Sequence, residues 1–289
     1  MIVVQLLGGL GNQMFQYACG RALALRTGKQ LFLDISSYSI SPGRRYELDV
    51  LNIQANIINL EEDKEIEQRL GIPGIPAYFE RQHNFDQNVF SLRDGVFLQG
   101  GFWQTEKYFQ DFASVIREEL SPKLPSLSAE SLNIAMDIKK YLSIAIHVRR
   151  TDYAIYDKLG ILPMGYYENV RRYLDNVFPS ARYYIFSDDV AWCKREFTVF
   201  PNSYVLEHKG ELGCHEDLWL MSQCQHNVIA NSTYSWWGAW LNNNPQKLVI
   251  APDRWFAGEH LNTQDVLPDK WIKVPVQNNC EDNGSFIAS

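Results

Sequence analysis

The sequence predicts an α/β protein made of two doubly wound domains that face each other across a cleft. Three observations carry that expectation. The chain opens with strand, glycine loop, helix and second strand in quick succession. Its second half alternates short apolar runs with helical stretches. Between the halves, Ser121-Pro-Lys-Leu-Pro-Ser-Leu-Ser breaks all periodicity. Alternating β and α elements with short joints mark parallel sheets. A proline- and serine-rich break marks a boundary, dividing the chain into residues 1–125 and 126–289.

In the first half, residues 2–7 form an apolar run read as a buried strand. Gly8, Gly9 and Gly11 make a tight loop, and Asn12 is placed to cap a helix over about residues 13–26. Gly28 stands where a left-handed helix end belongs, and residues 30–34 form the next strand. Acidic residues from Glu61 to Glu67 predict an exposed helix, and Gly71-Ile-Pro-Gly-Ile-Pro a loop. Residues 96–99 read as a strand ending in Gly100-Gly101, followed by Phe102-Trp103-Gln104, and residues 109–120 as a helix. In the second half, strands are expected at 143–148, 182–186, 204–206, 227–230 and 248–251. Helices are expected at 166–177, 191–197, 216–225 and 235–241.

With 289 residues and 46% hydrophobic content, the chain is long enough for substantial cores. Its formal charge of −7, with only 27 basic residues, argues against nucleic acid as a partner, since such binding rests on neutralising phosphates. Five cysteines (19, 193, 214, 224 and 280) at wide spacing, with no CxxC, fit unpaired thiols in a reducing compartment. Neither a signal peptide nor a membrane-spanning run is visible, so the expected location is the cytoplasm, at most peripheral at the inner membrane.

Three segments carry the chemistry. His147-Val-Arg-Arg-Thr-Asp152 ends an apolar strand, where ligands of open α/β sheets bind. Paired guanidinium groups there suit a phosphate. Asp152 reads as a partner for an arginine, and His147 as a wall of the site. Ser187-Asp188-Asp189 ends another strand. A carboxylate there can accept both N1–H and N2–H of guanine, or it can cap the helix that follows. Ala230-Asn-Ser-Thr-Tyr-Ser-Trp-Trp237 runs from strand to helix, so Asn231, Ser232, Thr233 and Ser235 lie near free N–H groups suited to phosphate. Trp236, Trp237 and Trp240 fit core anchors better than sugar platforms. Gly8-Gly-Leu-Gly-Asn-Gln13 is not a GxGxxG fingerprint, but it sets close-approach backbone at the end of the first strand. No DxD triplet occurs, so no metal bridge to a diphosphate is expected.

Together, GGLGNQMFQYACGRALA, HVRRTDY, YIFSDD and ANSTYSWWGAWL resemble the bacterial α-1,2-fucosyltransferases of glycosyltransferase family 11, within the α-1,2/α-1,6/protein O-fucosyltransferase superfamily. The resemblance spans most of the chain. It implies a GT-B architecture of two Rossmann-like domains, an acceptor-side N-terminal one and a C-terminal one holding GDP-fucose. It implies metal-free, inverting transfer of fucose to the 2-hydroxyl of a terminal β-galactoside, on an oligosaccharide that is free or lipid-linked. GDP-fucose is then a donor substrate, and no cofactor is implied. By the same resemblance Arg149 holds the β-phosphate and steadies leaving GDP, with Arg150 in support and His147 alongside. Asp188 and Asp189 read guanine, and Asn231, Ser232, Thr233 and Ser235 contact phosphate or ribose. Gly11, Asn12 and Gln13 line the cleft near fucose or acceptor, Asn12 among the catalytic groups. Asp157 falls where α-1,6 relatives carry a glutamate base. Two other readings stay open: a fucosyltransferase acting on N-acetylglucosamine or protein, and a non-catalytic nucleotide- or glycan-binding module.

Overall fold

The computed structural model describes residues 1–40, 43–93, 95–151, 160–207, 213–257 and 263–276. The chain forms two compact units, Met1–Lys123 with Leu261–Pro268, and Leu124–His260 with Asp269–Ser289. Each holds one parallel sheet.

The first unit contains, in chain order, β1 (Ile2–Gln5), α1 (Leu10–Thr27), β2 (Leu31–Asp34), α2 (Ser37–Ile40), β3 (Asn56–Ile58), α3 (Lys64–Arg69), β4 (Ala77–Phe79), β5 (Val96–Gln99) and α4 (Ala113–Glu119). The sheet order is β3-β2-β1-β5-β4, and every pairing is parallel. β1 is central because it is apolar on both faces: Ile2, Val3 and Val4 are wholly buried. The strand order reverses between β1 and β5, the place in such sheets where ligands meet the carboxyl ends of strands.

Helix α1 starts three residues earlier than the sequence suggested. Gly9, not Asn12, is its N-cap, and it caps through backbone alone. Asn12 lies inside the first turn because Gly8, at φ 75°, already turns the chain into the helix. Gly20 lets α1 lie close on β1, since a Cβ there would come within 2.4 Å of the Val4 side chain. Gly28 ends the helix in the left-handed conformation, as expected. The acidic helix is α3, capped by Asp63 through the Ile66 N–H. The helix expected over 109–120 is shorter, a 3-10 turn at Gln110–Phe112 leading into α4.

The second unit contains α5 (Ala129–Ile138), β6 (Ser143–Val148), α6 (Met164–Val177), β7 (Arg182–Ser187), α7 (Val190–Glu196), β8 (Ser203–Val205), α8 (Cys214–Gln223), β9 (His226–Val228), α9 (Thr233–Trp240), β10 (Val249–Pro252) and β11 (Ile272–Val274). The sheet order is β11-β10-β9-β6-β7-β8, again parallel throughout. Read from the other edge, it is the 3-2-1-4-5-6 order of a dinucleotide-binding sheet, with its reversal between β6 and β9. All six residues of β6 are buried, the mark of a strand covered on both faces. Amphipathic α6 covers one face with Tyr166, Tyr167, Val170 and Leu174. Trp236 and Trp237 are wholly buried, and Trp236 stacks parallel to Trp240 at 6.1 Å, so these rings anchor α9 in the core. Helix α5 was not anticipated. It begins at the end of the serine–proline break, where Ser128 caps it through the Ser131 N–H and itself donates to Glu216 of α8.

Among the described residues, no helix is long and apolar enough to cross a membrane, and Cys19, Cys193, Cys214 and Cys224 are free thiols.

Candidate functional site

The second unit gathers its predicted residues at the sheet's reversal. β6 and β9 are neighbours with Ile146 opposite Val228. Arg149 and Arg150 therefore leave the end of β6 next to the segment that runs from β9 into α9. β7 flanks β6 on the other side, with Val148 opposite Ser187, which delivers Asp188 to the same end.

Asp188 organises the arginine segment. Its Oδ1 accepts the Arg150 N–H at 2.9 Å. Its Oδ2 accepts the Thr151 N–H at 3.1 Å and the Thr151 hydroxyl at 2.5 Å, and lies 3.3 Å from Arg149 Nε. Successive backbone N–H groups thus fold around one carboxylate, and Arg149 pairs with it at the side. Asp189 caps α7 by accepting the Trp192 N–H at 3.0 Å, and its other oxygen stands 3.6 Å from Arg150 Nε. Both carboxylates thus hold the arginine segment and the start of α7 in place.

Arg150 lies flat on Trp192, its guanidinium carbon 3.6 Å from the ring centroid. Such stacking contributes about 0.5–2 kcal/mol and holds the guanidinium plane in one orientation. Sequence reasoning missed Trp192. The available signal was an aromatic residue in the first turn after the acidic strand end. A cavity of about 160 Å³ lies here, lined by Arg149, Arg150, Tyr167 and Trp192 and floored by Leu162, Pro163 and Met164.

His147 is buried at 2% exposure with its ring 5.6 Å from that of Tyr234, tying β6 to the first turn of α9. Tyr167 donates its hydroxyl to the His147 carbonyl at 3.1 Å. The Asn231 amide donates to the carbonyls of Gly160 and Trp255, so it braces the loop and offers no N–H outward. Ser235 is wholly buried, and its hydroxyl turns back to the Ala230 and Ser232 carbonyls at 3.4 and 3.2 Å. Both side chains hydrogen-bond to neighbouring backbone carbonyls and shape the turn into α9. Ser232 is the N-cap of α9 without spending its hydroxyl on a cap bond, and Thr233 is its first residue. The opening turn of a helix leaves N–H groups unpaired and carries a partial positive charge. Two arginines and this helix start are the positively charged groups at this sheet reversal.

In the first unit, Asn12, Gln13 and Gly11 lie at the carboxyl end of β1. Gln13 does not line an open surface. It is wholly buried, donates to the carbonyls of Gly8 and Arg45 at 3.0 and 2.8 Å, and accepts the Glu47 N–H at 2.9 Å. Gln13 therefore pins the segment around Arg45 to the glycine loop. Gln13→Ala leaves that buried backbone unpaired and is expected to lower stability by roughly 1–3 kcal/mol, measured by urea unfolding. Gly11 is buried in the first turn of α1. Asn12 is half-buried and accepts a hydrogen bond from Gln104 Nε2 at 3.0 Å. Asp152 and Asp157 lie outside the described residues. Among the described residues, no cluster of three His, Cys, Asp or Glu could hold a metal ion.

Comparison with known proteins adds the family. The profile of "Glycosyl transferase family 11" matches residues 1–275. An "Alpha-1,2-colitosyltransferase" of Escherichia coli is 33% identical over 95% of this chain and 99% of its own length. The "O-antigen biosynthesis glycosyltransferase WbnK" of the same organism is 33% identical over 92% of this chain and 98% of its own. "Galactoside 2-alpha-L-fucosyltransferase Sec1" of Mus musculus is 26% identical over 83% of this chain and 64% of its own. A match over nearly the whole length, with the arginine pair and the α9 start gathered at one sheet reversal, makes this chain an enzyme, a glycosyltransferase of family 11.

Proposed function

We propose that the enzyme transfers L-fucose from GDP-fucose to the 2-hydroxyl of a terminal β-galactoside, inverting the anomeric centre to give an α-1,2 link. The observation that carries the donor side is the anion site at the β6/β9 reversal, with Arg149 and Arg150 on one side and the start of α9 on the other. A sheet order of this type binds nucleotides at that reversal. The α-1,2 linkage rests on family membership and on the relatives named for it.

In this reading the architecture is GT-B, with donor on the second unit and acceptor on the first. Breaking the fucosyl C1–O bond leaves an oxocarbenium-like carbon and a diphosphate with added negative charge. Fixed guanidinium and N–H groups stabilise that charge more in the transition state than in the bound donor, which accelerates the step. Arg149 meets the β-phosphate. Arg150, stacked on Trp192, supports the same group. Ser232 and Thr233 add hydroxyls at the helix start. Asp188 and Asp189 hold the two arginines in place, and the guanine contact implied by the resemblance falls to the same pair. The acceptor hydroxyl attacks from the opposite face, with Asp157 as the carboxylate to take its proton. Arginines and a helix start neutralise the diphosphate without a metal ion. The acceptor is a galactose-terminated oligosaccharide, offered free or lipid-linked at the cytoplasmic face of the inner membrane.

A second donor deserves a direct test because of the colitosyltransferase relative. Colitose is fucose without its 3-hydroxyl, so the same phosphate chemistry would serve both. The deciding experiment offers GDP-fucose and GDP-colitose in turn with lactose, lacto-N-biose and N-acetyllactosamine, each with and without EDTA. Turnover of GDP-fucose that survives EDTA is expected. Preference for GDP-colitose would reassign the donor, and loss of activity in EDTA would end the metal-free reading. In the same assay Trp192→Leu is expected to raise the donor KM about fivefold, the equivalent of about 1 kcal/mol of lost stacking.

A further inference from the structure

The loop after β5 combines a buried aromatic cluster of Trp103, Tyr78 and Tyr108 with an unusual backbone. Trp103 is wholly buried with φ 56°, a left-handed backbone that bulky residues rarely adopt. Glu80 holds it there. One carboxylate oxygen accepts the Phe102 N–H at 2.8 Å and the other the Trp103 N–H at 2.9 Å. Burial pushes the Glu80 carboxyl up from its ordinary value despite those two donors. From the other side, Gln16 donates to the Gly101 carbonyl at 2.9 Å and accepts the Leu7 N–H at 2.9 Å, fastening the loop to the end of β1. Gly101 has no room for a side chain, since a Cβ would stand 2.6 Å from the Trp103 ring.

The product of this construction is the position of Gln104. It is 6% exposed, and its Nε2 donates to Asn12 Oδ1. Its Oε1 is buried without any hydrogen-bond partner. A buried amide carbonyl left unpaired is destabilising, and so is a bulky residue in a left-handed backbone. Strain and an orphaned polar atom together, at the β1/β5 reversal where ligands bind, point to function.

The geometry points to a carbohydrate-hydroxyl subsite at the β1/β5 reversal, in which Gln104 fixes the Asn12 amide so that its NH2 is presented to a sugar oxygen. Gln104 occupies one acceptor site of Asn12 Oδ1 and so fixes the amide plane, which sets the direction of the Nδ2 donors, and Asn12 is half-buried and not sealed in. The Asn12 Nδ2 makes no hydrogen bond among the described residues, consistent with a donor kept for a ligand. Gln104 is a positioning residue that acts through Asn12, and Asn12 is the group that touches the sugar. The inference rests on the sugar-transfer reading given above.

The test is a double-mutant cycle in the full chain with GDP-fucose and lactose, reading kcat, the KM of each substrate and the thermal midpoint. Gln104→Leu keeps the volume and removes the orphaned carbonyl, so its midpoint should equal or exceed that of wild type. Its kcat/KM should nevertheless fall on the order of 100-fold, the cost of a misplaced contact. Asn12→Ala should lose at least as much, and the double variant should be no slower than Asn12→Ala alone. Gln104→Met gives the same reading should the leucine variant not fold. Wild-type rates in the Gln104 variants, or losses that multiply in the double variant, would overturn the pairing and leave the donor assignment standing. A wild type inert to GDP-fucose would instead remove the donor assignment and this inference with it.

Discussion

Arg149→Ala is expected to reduce turnover on the order of 10³-fold with the fold intact. The side chain leaves the end of β6 at 23% exposure, close to the α9 start, and its Nε lies 3.3 Å from Asp188. A guanidinium so placed gains most when the leaving diphosphate acquires charge, so kcat falls more than donor affinity. Arg149→Lys keeps the charge but not the planar fork, and should recover only a small part of the loss. Circular dichroism and the thermal midpoint check the fold, and steady-state kinetics read the loss. A change in KM alone, with kcat untouched, would show that Arg149 binds the ground state and does not serve the chemical step.

Asp188→Ala carries the second large effect, and it touches both stability and rate. The carboxylate accepts two backbone N–H groups and one hydroxyl, and pairs with Arg149. Charge-assisted bonds of this kind contribute about 1.5–3 kcal/mol, and their loss should appear as a lower urea midpoint. Freed from Asp188, the turn from Arg149 to Thr151 no longer holds the guanidinium in place, and turnover is expected to fall about 100-fold. Asp188 acts through Arg149, so the double variant with Arg149→Ala should be nearly as active as Arg149→Ala alone. Losses that multiply would assign Asp188 a contact of its own with the donor.

The sequence made the second unit largely legible. β6 is a continuous apolar run, and such a run is what a strand covered on both faces requires. The α9 start was visible because small hydroxylic residues separate an apolar strand from three tryptophans. The weaker readings were edges and partners. β3 and β4 escaped notice because edge strands of three residues, with Asn56, Ile57, Ala77 and Phe79 exposed, show no apolar pattern. Asn12 looked like a cap since caps favour that residue type, yet Gly9 reached the capping position first.

The engagement of Asp188 depends on residues 38 positions away. Local spacing cannot choose between a base, a cap and a neighbouring strand end. The same holds for Trp192, whose partner Arg150 comes from the strand beside it. Gln104 was visible as part of Phe102-Trp103-Gln104, but a left-handed tryptophan has no sequence signature. Asp63, by contrast, was read as part of a charged helix and turned out to cap it, a local bond that local sequence does encode.

The transfer is read most directly from its product. The enzyme is incubated with GDP-fucose and a β-galactoside acceptor, and the new linkage is assigned by NMR from the anomeric coupling and the correlation across the glycosidic bond. An α-linked fucose on O2 of the terminal galactose is expected, with GDP released in equal amount. A β-linked product, attachment at another hydroxyl, or GDP-fucose left unconsumed by every β-galactoside would contradict the proposed transfer.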